Sequence, residues 1–195
     1  MLFAHAFKYT AYLPMKWVYR LHVRGKELLP AEPYIIVANH SNSVDPLLIN
    51  LALLQKRIIF LTSSKLFECP RALRWMLREM GCIPSISPVV DADNLFERSR
   101  HLEKNEVIGF FAQGKIQSNT DLFKTGTVML ALRTGYPIVP AYVKSEGAFR
   151  GKSFVSFGNP IQVSQASIND METINQMNER IRTNVIQLSQ QFEEA

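Results

Sequence analysis

Asn39-His40-Ser41-Asn42-Ser43-Val44-Asp45-Pro46 is the stretch of this 195-residue chain whose residue types and spacing could do chemistry. A histidine five residues ahead of an aspartate in a short turn can fold back onto it. The carboxylate then holds one imidazole nitrogen, fixes the tautomer and leaves the other nitrogen free to act as a general base. The same residues allow a plainer reading, in which Asp45 caps the helix that Pro46 begins and His40 is an ordinary turn residue. Taken alone, the pair does not decide between the two.

Other chemistries find less support. Gly109-Phe110-Phe111-Ala112-Gln113-Gly114-Lys115 fits the opening GxxxxGK of a phosphate loop, but Ile116 stands where a Ser or Thr must hold magnesium, and the Phe-Phe pair reads as buried strand. No GxSxG marks a serine nucleophile. His5, His22, His40 and His101 show no metal-ligand spacing, so no metal is expected. Two cysteines, Cys69 and Cys82, supply neither a disulfide framework nor a zinc site, and read as part-buried thiols in a reducing compartment.

The elements that must position His40 and Asp45 are legible as alternating patterns. Short apolar, β-branched runs occur at Tyr34 to Ala38, Arg57 to Thr62, Val107 to Ala112, Pro137 to Val143 and Ser153 to Phe157. Segments of helical period lie between several of them, which predicts a single α/β domain over 1–195 with a mostly parallel sheet covered by helices. The motif directly follows the first of these strands, where open α/β sheets place ligands. A helix is predicted from Asp45 to about Leu54. Another is predicted from Cys69-Pro70 to Met80-Gly81, with proline at its first turn and glycine just past its end. Leu73, Met76, Leu77 and Met80 share one face of it, and Arg71, Arg74 and Arg78 another. Ser167-Ile168-Asn169-Asp170 opens a C-terminal helix whose stripe, Ile174 to Phe192, is core contact.

Hydrophobic residues at 47% and charged residues at 20% exclude disorder as the main state. The net charge of +5 is concentrated early: residues 1–30 carry Lys8, Lys16, Arg20, Arg24 and Lys26 against Glu27. That segment is also rich in Phe, Tyr, Trp and Leu, which suits the headgroup region of an anionic membrane; packing on the domain is its alternative. With cations interrupting it, the segment is neither a signal peptide nor a spanning helix, so a cytoplasmic protein, peripheral on the inner face of a membrane, is expected. A nucleic acid is not an expected partner, since no such motif accompanies the charge.

Together these residues resemble the glycerophosphate and lysophospholipid acyltransferase family, whose first motif is NHxxxxD. Ser64-Lys65-Leu66-Phe67, the arginine helix and Gly81-Cys82-Ile83-Pro84 are similar to its second region. Phe111-Ala112-Gln113-Gly114 stands where the family has FPEG. Phe123-Lys124-Thr125-Gly126 and Gly135-Tyr136-Pro137-Ile138-Val139-Pro140-Ala141 are similar to its glycine-bearing segment and last proline motif.

The resemblance implies transfer of a fatty acyl chain from a thioester, acyl-CoA or acyl carrier protein, to an acceptor hydroxyl. His40 would be the base and Asp45 its orienter, with no cofactor beyond the co-substrate. Asn39, Lys65, Gln113, Gly114, Lys115, Lys124 and Gly126 would line donor or acceptor. Three departures bear on the acceptor: Gln113 replaces the usual glutamate, Gly114-Lys115-Ile116-Gln117-Ser118 lacks the arginine that commonly follows, and Ser85-Ile86-Ser87 lacks the one that often closes the second motif. A planar fork of donors suits a phosphate. Its loss favours a glycolipid, other hydroxyl-bearing lipid or small molecule over glycerol phosphate. The alternative function is a catalytically degenerate domain that binds lipid or a partner at a membrane.

Overall fold

The computed structural model describes Thr10, Pro14 and residues 17–31, 33–86, 88–103, 105–111, 125–146, 151–163 and 170–193. Seven strands form one sheet: Leu21–Arg24 (β1), Ile35–Ala38 (β2), Arg57–Ser63 (β3), Cys82–Ser85 (β4), Glu106–Phe111 (β5), Ile138–Ser145 (β6) and Ser153–Phe157 (β7). The helices are Asp45–Ala52 (α1), Arg71–Glu79 (α2), Pro88–Ser99 (α3), Thr125–Thr134 (α4) and Met171–Glu193 (α5). Strand order is β1-β7-β6-β2-β5-β3-β4. From β6 to β4 the strands run parallel; β7 turns back antiparallel to β6, and β1 lies parallel to β7. The architecture is the expected α/β domain with a mostly parallel sheet.

The central strand β2 reads Ile-Ile-Val-Ala and buries all four residues, as a strand covered on both faces must. Ile36 and Ala38 face one core with Phe60, Leu48, Leu51 and Leu77, which brings α1 and α2 to that side. Ile35 and Val37 face the other, with Ile108, Leu95, Val128, Leu132, Ile174 and Ile181, which brings α3, α4 and α5 there. Both layers therefore follow from the period-two alternation of a four-residue strand.

Three local readings needed the coordinates. Leu21–Arg24, towards the end of the basic aromatic segment, is an edge strand on β7, with the His22 ring stacked on Phe154 at 5.1 Å; residues 1–9, 11–13, 15 and 16 of that segment lie outside the described residues. At α2 the glycine stop holds, since Gly81 has φ +84° and a Cβ there would come within 2.0 Å of the Ile58 carbonyl oxygen. Before α5, Asp170 takes the capping role by accepting from the Thr173 hydroxyl, the Thr173 amide and the Glu172 amide, bonds that hold its carboxyl below the usual range. Ser167, the residue expected to open that cap, lies outside the described residues.

Candidate active site

The chain leaves β2 into α1 on one face of the sheet and reaches α4, on the other face, after β5. These neighbouring parallel strands are thus followed by helices on opposite faces, the arrangement in which open α/β sheets place ligands at the strands' carboxyl ends. Asn39 to Val44 leaves β2 at that end.

Helix α1 begins at Asp45 with Val44 at the cap position, and no side chain caps it. This corrects the expectation that Asp45 is the N-cap. The Asp45 carboxylate turns backward instead: its Oδ2 accepts the Ser41 amide at 2.8 Å and the Asn42 amide at 2.8 Å, and meets His40 Nδ1 at 3.0 Å. An oxygen already receiving two N–H groups is an acceptor, so Nδ1 meets it as a donor and Nε2 keeps its lone pair. Asp45 is fully buried, whereas the His40 side chain is 17% exposed. The carboxylate is thus shielded while the imidazole keeps an opening. The turn is closed further by the Asp45 amide donating to the Asn42 carbonyl at 3.1 Å.

Asn39 spans the gap to the neighbouring strand. Its Nδ2 donates to the Val143 carbonyl at 2.8 Å, and its Oδ1 accepts from the Val143 amide at 2.7 Å. Both ends of the carboxamide are used by the backbone of β6, so Asn39 ties the motif to the sheet just as a further backbone pair would. The other contact is aromatic: the His40 imidazole stacks on Phe111, with centroids 4.3 Å apart and planes 28° apart, and Phe111 stacks on Phe60 at 5.3 Å and 16°. Phe60 was not singled out in the sequence, and Phe111 only as the opening residue of the Phe111-Ala112-Gln113-Gly114 motif. The available signal was that both sit on parallel strands ending beside the motif.

Lys65 lies exposed in the single-turn helix Ser64–Glu68 that follows β3, on the carboxyl edge shared with His40. Gly126 is in the first turn of α4, with open space around it. Gln113, Gly114, Lys115 and Lys124 lie outside the described residues. Burial pushes the Cys82 thiol up, against a smaller opposing hydrogen bond with Thr62, so it is a poor nucleophile. Among the described residues no three His, Cys, Asp or Glu side chains gather as a metal site, and no helix is long and apolar enough to cross a membrane.

The family profile described as Acyltransferase matches residues 20–144. A protein of Bacillus subtilis (strain 168) named 1-acyl-sn-glycerol-3-phosphate acyltransferase is 25% identical over 187 residues, 88% of this chain and 89% of its own length. One of the same name in Streptococcus pneumoniae is 26% identical over 183 residues, 87% of this chain and 66% of its own. A chloroplastic one of Brassica napus is 27% identical over 135 residues, 66% of this chain, which spans only 38% of that relative. The crystal structure of the 1-acyl-sn-glycerophosphate acyltransferase of Thermotoga maritima is similar in fold, with a TM-score of 0.66, 20% identity, and coverage of 95% of this chain and 78% of that one.

Proposed function

The chain belongs to the acyltransferase family, and on that premise we propose that it transfers a fatty acyl group from an acyl thioester to the hydroxyl of a lipid acceptor. The observation that carries this reading is the buried carboxylate oxygen that gathers His40 Nδ1 and two backbone amides at the rim of the sheet. In the proposed step His40 Nε2 takes the proton of the acceptor hydroxyl as its oxygen attacks the thioester carbonyl. The tetrahedral intermediate collapses with cleavage of the carbon–sulfur bond, and the departing thiolate recovers the proton from the imidazolium. Asp45 steadies the ring and its transient charge, and base catalysis of this kind contributes on the order of 10²- to 10⁴-fold. No acyl-enzyme forms. The thiol carrier is coenzyme A or acyl carrier protein.

The relatives are named for 1-acyl-sn-glycerol-3-phosphate. The missing arginines of Ser85-Ile86-Ser87 and Gly114-Lys115-Ile116-Gln117-Ser118, together with Gln113, support a different acceptor here, one whose hydroxyl is presented without a phosphomonoester, such as a glycolipid.

Helix α2 supports a peripheral membrane location. Of its residues only Leu77 is buried. Leu73, Trp75 and Met76 are 40%, 48% and 37% exposed; helical spacing sets Leu73 and Met76 side by side, and Trp75 next to the exposed Arg71 and Arg78 with Glu79 between it and Met76. Apolar and aromatic side chains flanked by arginines suit the headgroup boundary of an anionic leaflet, the cytoplasmic one in this reading.

The test is thiol release from acyl-CoA and acyl carrier protein thioesters by the protein and by His40→Ala. Lysophosphatidate, lysophospholipids and glycolipids are each supplied as acceptor. Acceptor-dependent release that vanishes in H40A is the expected result. Release by neither protein with any pair, alongside retained lipid binding, would favour the degenerate binding domain.

A further inference from the structure

The Cβ–Cγ torsion of histidine is broad, and the hydrogen bond from Nδ1 to Asp45 narrows it without locking it, since such bonds tolerate about 30° of departure from linearity. What lies against the ring's face therefore also bears on the direction of Nε2, and Phe111 lies there, centroid to centroid 4.3 Å away. Phe111 is itself supported, because Phe60 stacks on it from behind. Phe60 in turn lies over a glycine: Phe60 and Gly109 are partners in the β3–β5 register, and a Cβ on Gly109 would come 2.2 Å from Phe60 Cε1. Any larger residue at 109 would lift the Phe60 ring. The order Gly109, Phe60, Phe111, His40 is a packed column that starts in the buried centre of the sheet and ends at the base. Close-packed rings are displaced only at a cost, so the column transmits the rigidity of the sheet to the imidazole.

We infer that Phe111, backed by Phe60 over Gly109, is a positioning residue that fixes the plane of His40 and with it the direction of Nε2. This rests on the reading of His40 as the base. Asp45 and Phe111 then divide the work: the carboxylate fixes the tautomer and the edge, and the aromatic face fixes the tilt.

The experiment compares the full chain with Phe111→Leu, which keeps an apolar side chain but removes the ring, and Phe111→Tyr, which keeps the ring. Steady-state thiol release is read together with the NMR resonance of the His40 Cε1 proton in histidine-labelled protein, identified by its absence from H40A. A proton held over an aromatic face is shifted upfield. The expected result is an upfield resonance in the parent and F111Y that moves downfield in F111L. F111L should also lose about 10- to 100-fold in kcat while both KM values stay within about two-fold. Phe111→Met carries the same readouts if F111L does not fold.

A resonance that does not move between parent and F111L overturns the stack. One that moves while kcat holds overturns the positioning role. Absence of turnover in the parent overturns the acyl-transfer reading instead, and the resonance reports separately whether the ring column exists.

Discussion

At the scale of single residues, the arrangement around Asp45 separates a catalytic role from a capping one. Asp45→Asn keeps the size of the side chain and can still accept the Ser41 and Asn42 amides. It offers His40 a neutral partner that permits the wrong tautomer. Turnover in the acceptor-dependent thiol-release assay should fall on the order of 10²- to 10⁴-fold with donor KM little changed; an equal loss of donor affinity would make Asp45 a structural residue. Tyr34 tests burial in a different way. Its side chain is fully buried, its hydroxyl has no hydrogen-bond partner among the described residues, and burial pushes its pKa up from 10.0 to about 12. The folded protein therefore keeps this proton where the unfolded chain has released it. Stability is complete below the unfolded pKa and is lost as pH rises from about 10 to about 12, by at most about 2 to 3 kcal/mol. Tyr34→Phe should be as stable as the parent or more so near neutral pH and should flatten that alkaline loss, which urea midpoints at about pH 9 and about pH 11 would reveal. The contact between His40 and Asp45 was legible because a histidine and an aspartate at that spacing in a short turn can fold onto one another. Asn39 was legible as part of the motif, but its bonds to Val143 were not, since a contact across 104 positions leaves no local trace. The Phe111 stack was hidden for the same reason.

At the scale of elements, termini were readable wherever a residue type is required by backbone geometry. The stop of α2 at Gly81 is such a case, with a left-handed φ of +84° and no room for a Cβ beneath Ile58. Gly81→Ala should therefore cost about 2 kcal/mol or more and lower Tm by roughly 5 °C or more. A melt within about 1 °C of the parent would mean that β4 is not held against β3 as described. The run Ser153–Phe157 coincides with β7, and Tyr34 to Ala38 contains β2, because each alternates or buries throughout. Cys82–Ser85 was read as part of a motif and not as a strand: four residues containing a proline carry little β signal, and only pairing with β3 settles their state. Leu21–Arg24 was missed as a strand for a similar reason, being a short edge whose partner, β7, lies about 130 residues further on. The cap of α1 was misassigned because an aspartate before a proline satisfies the rules for a cap, and sequence rules do not see a histidine and two amides that compete for the carboxylate.

At the scale of the whole molecule, the alternation of strands and helices specified the α/β class, but not which strands are neighbours or which helix faces are left uncovered. The apolar face of α2 shows the difference. Sequence periodicity assigns Leu73, Met76, Leu77 and Met80 to one face, the usual signature of core contact. In the structure α2 lies beside the edge strand β4, where the sheet ends, and there is little sheet beneath it to receive that face. An exposed apolar face on a helix that also carries arginines is costly in water and favourable at an anionic leaflet, and the overall charge of +5 adds attraction of the same sign. The two contributions can be separated. Each basic residue near an anionic surface is worth about 1 kcal/mol, so Arg71→Gln/Arg78→Gln should weaken partitioning onto phosphatidylglycerol vesicles by roughly 30-fold, and raised salt should mimic the change. Leu73→Ser/Met76→Ser should weaken partitioning at every salt concentration, because buried apolar area is not screened. Vesicle flotation of the three proteins at low and high salt distinguishes these effects. Equal partitioning by all three would remove α2 from the proposed membrane contact, and equal binding to phosphatidylcholine and phosphatidylglycerol would remove its arginines from it.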